Sequence, residues 1–174
     1  MARILIPIPD VDFDPTETGI PWRTLRQRGH YVVFATPSGN VARADPRMVT
    51  GEGLGIFAAL MRADDNGRSA YEEMRESEEF RHPISYDDIR PETLDGIILP
   101  GGHAKGMREY LESNGLQSVV ATFFARNQPL GAICHGVLLA ARSHRTDGRS
   151  VLHGKRTTAL TKFRGRHARD AGGG

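Results

Sequence analysis

Gly131-Ala132-Ile133-Cys134-His135-Gly136-Val137-Leu138-Leu139-Ala140 is the stretch that decides the fold. A short apolar run enters Cys134 from Pro129, and a second apolar run leaves after Gly136. Apolar strand, small-residue corner, apolar helix is the layout of a nucleophile elbow, in which a reactive atom stands on a sharp turn above a sheet. The positive end of the following helix and the adjacent His135 imidazole both favour the thiolate, which is the nucleophilic form. A lone cysteine in an apolar run is more often an inert small hydrophobe. Here the glycines at 131 and 136, and a second glycine corner upstream, shift the balance toward chemistry.

That second corner is Pro100-Gly101-Gly102-His103, directly after the apolar Gly96-Ile97-Ile98-Leu99. Two successive glycines let backbone N–H groups approach a ligand closely and stabilise an oxyanion beside the cysteine. Further upstream, Ala2 to Ile8 reads as a buried strand and Asp10 to Thr18 as a polar loop. Pro21 to Arg28 reads as a helix, with Pro21 in its first turn and Gly29 just past its end. Tyr31-Val32-Val33-Phe34-Ala35 is the next strand. Strand, helix, strand within about 35 residues is a βαβ unit and implies a parallel sheet. In such sheets ligands bind at the carboxyl ends of the strands, where both glycine corners fall.

Residues 36–94 interrupt this rhythm and read as a partly helical insertion capping one sheet edge. They include a short apolar helix at Ile56 to Met61 and an acidic helix from Ser69 to Phe80, with Tyr71, Met74 and Phe80 as its apolar positions. Downstream, Lys105 to Ser113, Leu116 to Asn127 and Gly136 to Ser143 read as helices and Pro129 to Ile133 as a strand. Val151-Leu152 and Arg156 to Leu160 suggest a final hairpin or strand. The expected fold is a flavodoxin-like α/β three-layer sandwich with a mostly parallel sheet.

The chain has 174 residues, 39% hydrophobic and 25% charged, with one cysteine and a net charge of +2. That length suits one domain. The composition excludes disorder and fibrous repeats, and one cysteine excludes a disulfide framework or a thiolate-rich zinc site. No apolar run reaches the roughly 20 residues of a membrane span, and Pro7 breaks the N-terminal run too soon for a signal peptide. A cytoplasmic protein with no membrane partner is expected. Residues 142–174 carry nine Lys+Arg against two Asp+Glu. Arginine is the default cation of this chain, at 20 Arg to 3 Lys, and the tail has Phe163 as its one aromatic. A solvated surface is therefore expected, and a nucleic-acid partner is not. We divide the chain into an α/β domain at 1–163 and a loose basic, Gly-ending tail at 164–174.

Ile98-Leu99-Pro100-Gly101-Gly102-His103 followed by Ala132-Ile133-Cys134-His135-Gly136 resembles the ThiJ/PfpI superfamily, relatives of the class I glutamine amidotransferase domain. The resemblance covers roughly residues 2–161. The long 36–94 segment and the histidine after the two glycines look most like the glyoxalase III-like, heat-shock chaperone branch. That branch has a glutamate four residues before a proline, matched here by Glu17 and Pro21. The resemblance implies a cysteine-dependent lyase or hydrolase that converts methylglyoxal to lactate without glutathione, or a related deglycase. Cys134 is then the nucleophile, Glu17 the proton shuttle and His135 a supporting acid/base. Gly101, Gly102 and the backbone at His135 become the oxyanion site, with His103 beside the substrate. No cofactor and no metal are expected, and a homodimer is compatible with the family. The resemblance also implies an acid about thirty positions past the active-site histidine. Leu160-Thr161-Lys162-Phe163-Arg164 contains none, so a Cys-Glu pair with a supporting histidine is expected instead of a triad. Relatives continue with further strand and helix, and the Arg/Gly-rich end reads as a shortened or altered C-terminus.

Three other functions compete. A glutamine amidotransferase needs His-Pro-Glu after the cysteine, whereas His82-Pro83-Ile84 precedes it. A PfpI-type cysteine peptidase depends on assembly. A holdase chaperone or thiol redox and stress sensor would use the same accessible thiol, or apolar surface at Ile56-Phe57 and Leu60-Met61. A metal site from Cys134, His135 and His103 suits soft ions, but adjacent residues rarely ligate one ion together.

Overall fold

The computed structural model describes residues 1–51 and 63–158. The Ile56–Met61 helix, residues 159–160 of the last expected strand, and the tail lie outside the described residues.

Five strands form one sheet: β1 (Arg3–Pro7), β3 (Tyr31–Thr36), β5 (Ile84–Ser85), β6 (Gly96–Leu99) and β7 (Leu130–Ala132). Their order is β5-β3-β1-β6-β7, and every pairing is parallel. Two short strands, β2 (Val11–Phe13) and β4 (Arg43–Ala44), pair separately. Buried Leu5, Ile6, Phe34, Ile97 and Leu99 make the apolar centre of the sheet. A strand covered on both faces needs such runs, which is why the strands were legible as continuous apolar segments.

The winding positions the site. From β1 the chain crosses to β3 on one side, then later returns to β6 on the other. Right-handed crossovers put the helix of the first connection and those of the second on opposite faces, giving three layers. The crevice where the winding reverses lies between the carboxyl ends of β1 and β6.

Helix α1 spans Pro15–Gln27, six residues earlier than the expected start at Pro21. Buried Asp14 caps it, accepting from the N–H groups of Thr16 and Glu17 at 2.8 and 3.0 Å, and Pro15 opens it. An aspartate cap followed by proline is a strong start, and it overrides the signal of Pro21, which lies inside the helix. The first turn therefore contains Glu17, which the sequence placed in a loop. Pro21 has no N–H, so the Glu17 carbonyl loses its helical partner.

The insertion does more than cap an edge. It contributes β4, α2 (Pro46–Val49), α3 (Asp65–Arg75), α4 (Glu78–Arg81) and the edge strand β5. The single acidic helix expected at 69–80 is two helices, because Ser77 caps a new one. Phe13, Tyr71, Phe34 and Phe80 form a cluster of edge-to-face rings, with centroids 5.2 to 6.2 Å apart. Such pairs add roughly 0.5–1.5 kcal/mol each beyond burial. Against α1, Arg23 bridges Glu73 at 2.8 Å, and the Trp22 indole N–H donates to Glu79 at 3.0 Å. Gly19 permits the close approach, since a Cβ there would sit 2.9 Å from the Tyr71 nitrogen. The insertion thus backs the helix that carries Glu17.

The remaining helices are α5 (Met107–Glu112), α6 (Asn114–Ala125) and α7 (Gly136–Arg142). Val120 and Phe123 of α6 are buried, as its apolar face predicts. Val151 and Leu152 lie in a turn and not in a strand, while His144 and Ser150 form an isolated antiparallel bridge. Among the described residues, no helix is long and apolar enough to cross a membrane.

Candidate active site

Cys134 stands two residues past the end of β7 and two before the start of α7. Its backbone has φ +50°, the left-handed region that costs an ordinary side chain roughly 1–2 kcal/mol. Such strain persists where the surroundings over-determine it, and it is concentrated at active sites. Here the constraint comes from both sides. The Ile133 N–H donates to the Leu99 carbonyl at 2.9 Å, and the Gly136 N–H to the Ile133 carbonyl at 2.8 Å. The thiol is exposed at the turn.

Gly136 closes the corner against β6. A Cβ there would lie 2.1 Å from the Leu99 oxygen and 2.8 Å from its carbonyl carbon, both backbone atoms of a central strand. Gly136→Ala is therefore expected to force β6 and the elbow apart, at a cost of about 3 kcal/mol. For a chain of this size that lowers the melting temperature by roughly 6–12 °C, measurable by calorimetry.

Both expected histidines surround the sulfur. Cys134 Sγ lies 3.5 Å from His135 Nδ1 and 3.6 Å from His103 Nε2. The two rings meet edge to face, with centroids 4.8 Å apart. Among the described residues these three form the group of His, Cys, Asp or Glu side chains able to hold a metal ion, with ligating atoms all within 4.8 Å of one another.

Glu17 arrives from α1, 117 positions earlier in the chain. Its Oε2 accepts the Gly101 N–H at 2.8 Å, and its carboxyl interacts with the Cys134 thiol. A side chain at Gly101 would strike all parts of the centre: a Cβ would lie 2.7 Å from the His135 nitrogen, 2.8 Å from Glu17 Oε2 and 3.0 Å from Cys134 Cβ. Burial raises the Glu17 pKa first, and the negative charge of Asp14 raises it further. The Gly101 N–H, Cys134 and His103 pull the other way and do not win. Glu17 therefore holds its proton to higher pH than a free glutamate, as suits a group that gives and takes protons.

One expectation changes in detail. Gly101 cannot offer its N–H to an oxyanion while that group is donated to Glu17. The N–H groups of Gly102 and His135 have no protein acceptor among the described residues.

Asp12 and Asp14 are the site residues that the sequence did not single out. Asp14 N–H donates to the Gly101 carbonyl at 3.0 Å, and Asp12 Oδ2 accepts the Gly106 N–H at 2.9 Å. Together with Glu17 they clip the 101–106 loop at three points. Asp12 itself has φ +74°, a conformation that Asp and Asn tolerate better than other side chains. The Asp14-Pro15-x-Glu17 pattern could have flagged the helix start, but Asp12 has no local signal. Asp12→Ala is expected to cost about 1–2 kcal/mol, from an unpaired Gly106 N–H and an unfavourable φ, while Asp12→Asn keeps most of the stability. Thermal melts of the two variants check this.

The fold and site define a class, an α/β protein with a cysteine on a strand-to-helix elbow at the carboxyl edge of a doubly wound parallel sheet. Residues 8–169 match the ThiJ/PfpI family-like family, and the chain belongs to it. It is 32% identical over 123 residues to an uncharacterised protein of Schizosaccharomyces pombe, covering 70% of this chain and 45% of that one. It is 23% identical over 150 residues to a deglycase of Pyrococcus horikoshii, covering 85% and 66%. A glutathione-independent glyoxalase of S. pombe is 26% identical, with 81% and 55% covered. The chain thus spans about half to two thirds of these relatives' lengths. Among solved structures, the Francisella tularensis Rapid Encystment Protein superposes with TM-score 0.70 at 21% identity, over 97% of this chain and 74% of that one. Glyoxalase III from Candida albicans gives 0.60 at 19%, over 93% and 69%. These two likenesses establish the fold.

Proposed function

We propose that this chain is a cysteine-dependent, glutathione-independent glyoxalase, or a closely related deglycase, acting on small reactive aldehydes such as methylglyoxal. The observation that carries the proposal is the convergence of Cys134 at φ +50°, two imidazoles at 3.5 and 3.6 Å, and a Glu17 carboxyl with a raised pKa. The names of the deglycase and glyoxalase relatives support it.

The thiol proton passes to His135 Nδ1, and Sγ attacks the aldehyde carbon. A carbon–sulfur bond forms while the carbonyl electron pair moves onto oxygen, where the Gly102 and His135 N–H groups stabilise it. Protonated Glu17 neutralises that oxygen. As carboxylate it then takes the proton from the former aldehyde carbon while the ketone oxygen takes the proton held by His135, and Glu17 returns its proton at the neighbouring carbon as the first oxygen gives its own back to His135. The first carbon is oxidised to a thioester and the ketone is reduced to an alcohol, so no external oxidant or reductant enters. Water cleaves the thioester, releasing lactate and the thiol. In the deglycase variant Sγ forms its bond to the aldehyde-derived carbon of an amine adduct as the carbon–nitrogen bond breaks, the amine leaves with the thiol proton, and the resulting hemithioacetal follows the same course to lactate.

The test incubates the purified protein with methylglyoxal without glutathione. One lactate formed per methylglyoxal consumed supports the proposal. Absence of lactate from folded protein overturns the glyoxalase activity.

A further inference from the structure

We propose that His103, Cys134 and His135 form a binding site for zinc(II), with three protein ligands and an open fourth position. The sequence argued against this because side chains of adjacent residues usually diverge. The left-handed backbone at Cys134 removes that objection: the Cys134 sulfur and the Nδ1 of its immediate neighbour stand 3.5 Å apart on the same side of the turn.

The distances fit the ion. Zinc binds thiolate sulfur at about 2.3 Å and imidazole nitrogen at about 2.0–2.1 Å. At a tetrahedral angle those lengths separate sulfur and nitrogen by about 3.5–3.6 Å. The two S···N distances are 3.5 and 3.6 Å. The two nitrogens must come to about 3.3 Å, and all three ligand atoms already lie within 4.8 Å of one another. His103 is exposed on the loop after Gly101-Gly102, so rotation of its side chain closes the difference. One thiolate with two imidazoles is a donor set for zinc or soft ions and not for magnesium or calcium, which take oxygen. Exposure of Cys134 and His103 leaves room for a water or substrate atom in the fourth position.

Binding forms a metal–sulfur bond from the sulfur lone pair, and the thiol proton leaves to solvent. The nucleophile is thereby occupied. Reversible inhibition of the aldehyde reaction follows, and that consequence alone rests on the proposed function; the binding does not.

The test uses cobalt(II) as a spectroscopic probe on the full chain, followed by zinc. Wild type is expected to take up one cobalt per chain, with a thiolate-to-cobalt charge-transfer band in the near ultraviolet that zinc abolishes. Cys134→Ser loses the band, and His103→Ala binds roughly tenfold or more weakly. His82→Ala, at an exposed histidine paired with Glu78, binds as wild type. Unchanged melting temperatures show that the variants are folded. Absence of the band at saturating cobalt, or wild-type binding in either Cys134→Ser or His103→Ala, overturns the site. Because the readout is a spectrum, its failure is distinct from a failure to make lactate.

Discussion

Cys134→Ser is expected to reduce lactate formation by about 10⁴-fold or more while leaving the fold intact. A hydroxyl at neutral pH is a far weaker nucleophile than a thiol, which already carries a few per cent thiolate. The site offers nothing to compensate, because His135 and His103 are placed at sulfur distances of 3.5 and 3.6 Å and a serine oxygen stands closer to its own Cβ. Stability is insulated from the change. The thiol is exposed, and the backbone hydrogen bonds that hold φ at +50° run through Ile133 and Gly136 and do not involve the side chain. Circular dichroism and a thermal melt should match wild type to within about 0.5 kcal/mol. Residual turnover within tenfold of wild type would show that the chemistry lies elsewhere.

Glu17→Gln separates the charge of the carboxyl from its shape. The amide oxygen can still accept the Gly101 N–H, so the loop stays clipped, but the side chain no longer carries protons. Turnover is expected to fall by about 10²–10⁴-fold, the usual worth of a positioned acid/base, with a smaller effect on substrate affinity. Stability should move in the opposite direction. The folded pKa of Glu17 is raised, by burial first and by Asp14 second. A group of that kind binds its proton more tightly when folded. Its favourable contribution is full below the unfolded pKa and is lost as pH rises through the folded value. Glutamine does not titrate, so it loses no stability over that range. Glu17→Gln should therefore melt above wild type near pH 7, with the advantage shrinking toward about pH 4. A variant that melts below wild type at pH 7 would mean that Gly101, Cys134 and His103 outweigh burial after all.

Most of the sheet was legible because buried parallel strands are short apolar runs: β1, β6 and β7 fall inside such runs, and β3 exceeds its run only by Thr36. Cys134 and His135 were legible for the same reason, as they sit where an apolar strand changes to an apolar helix. The Gly101-Gly102 loop was legible because few residues other than glycine allow backbone so close to another chain segment. A Cβ at Gly101 would lie 2.7 Å from the His135 nitrogen. Glu17 was placed by resemblance alone. Its local sequence reads as one more acid in an acidic stretch, and Pro21 drew the helix start away from it.

Tertiary structure decided the rest, because hydrogen bonds and charges between distant segments leave no period in a sequence. It brought Glu17 onto the Gly101 amide, which takes that N–H out of the proposed oxyanion site. It set Asp12 against Gly106 across 94 positions. It split the acidic helix at Ser77 and turned the insertion into an edge strand and a brace for α1. Above all, it twisted Cys134 into a left-handed conformation, so that two adjacent side chains and His103 from another loop meet at one sulfur. Periodicity records which residues face the core. The pairing of polar groups at the mouth of the sheet is settled only when the winding reverses between β1 and β6 and places their loops side by side.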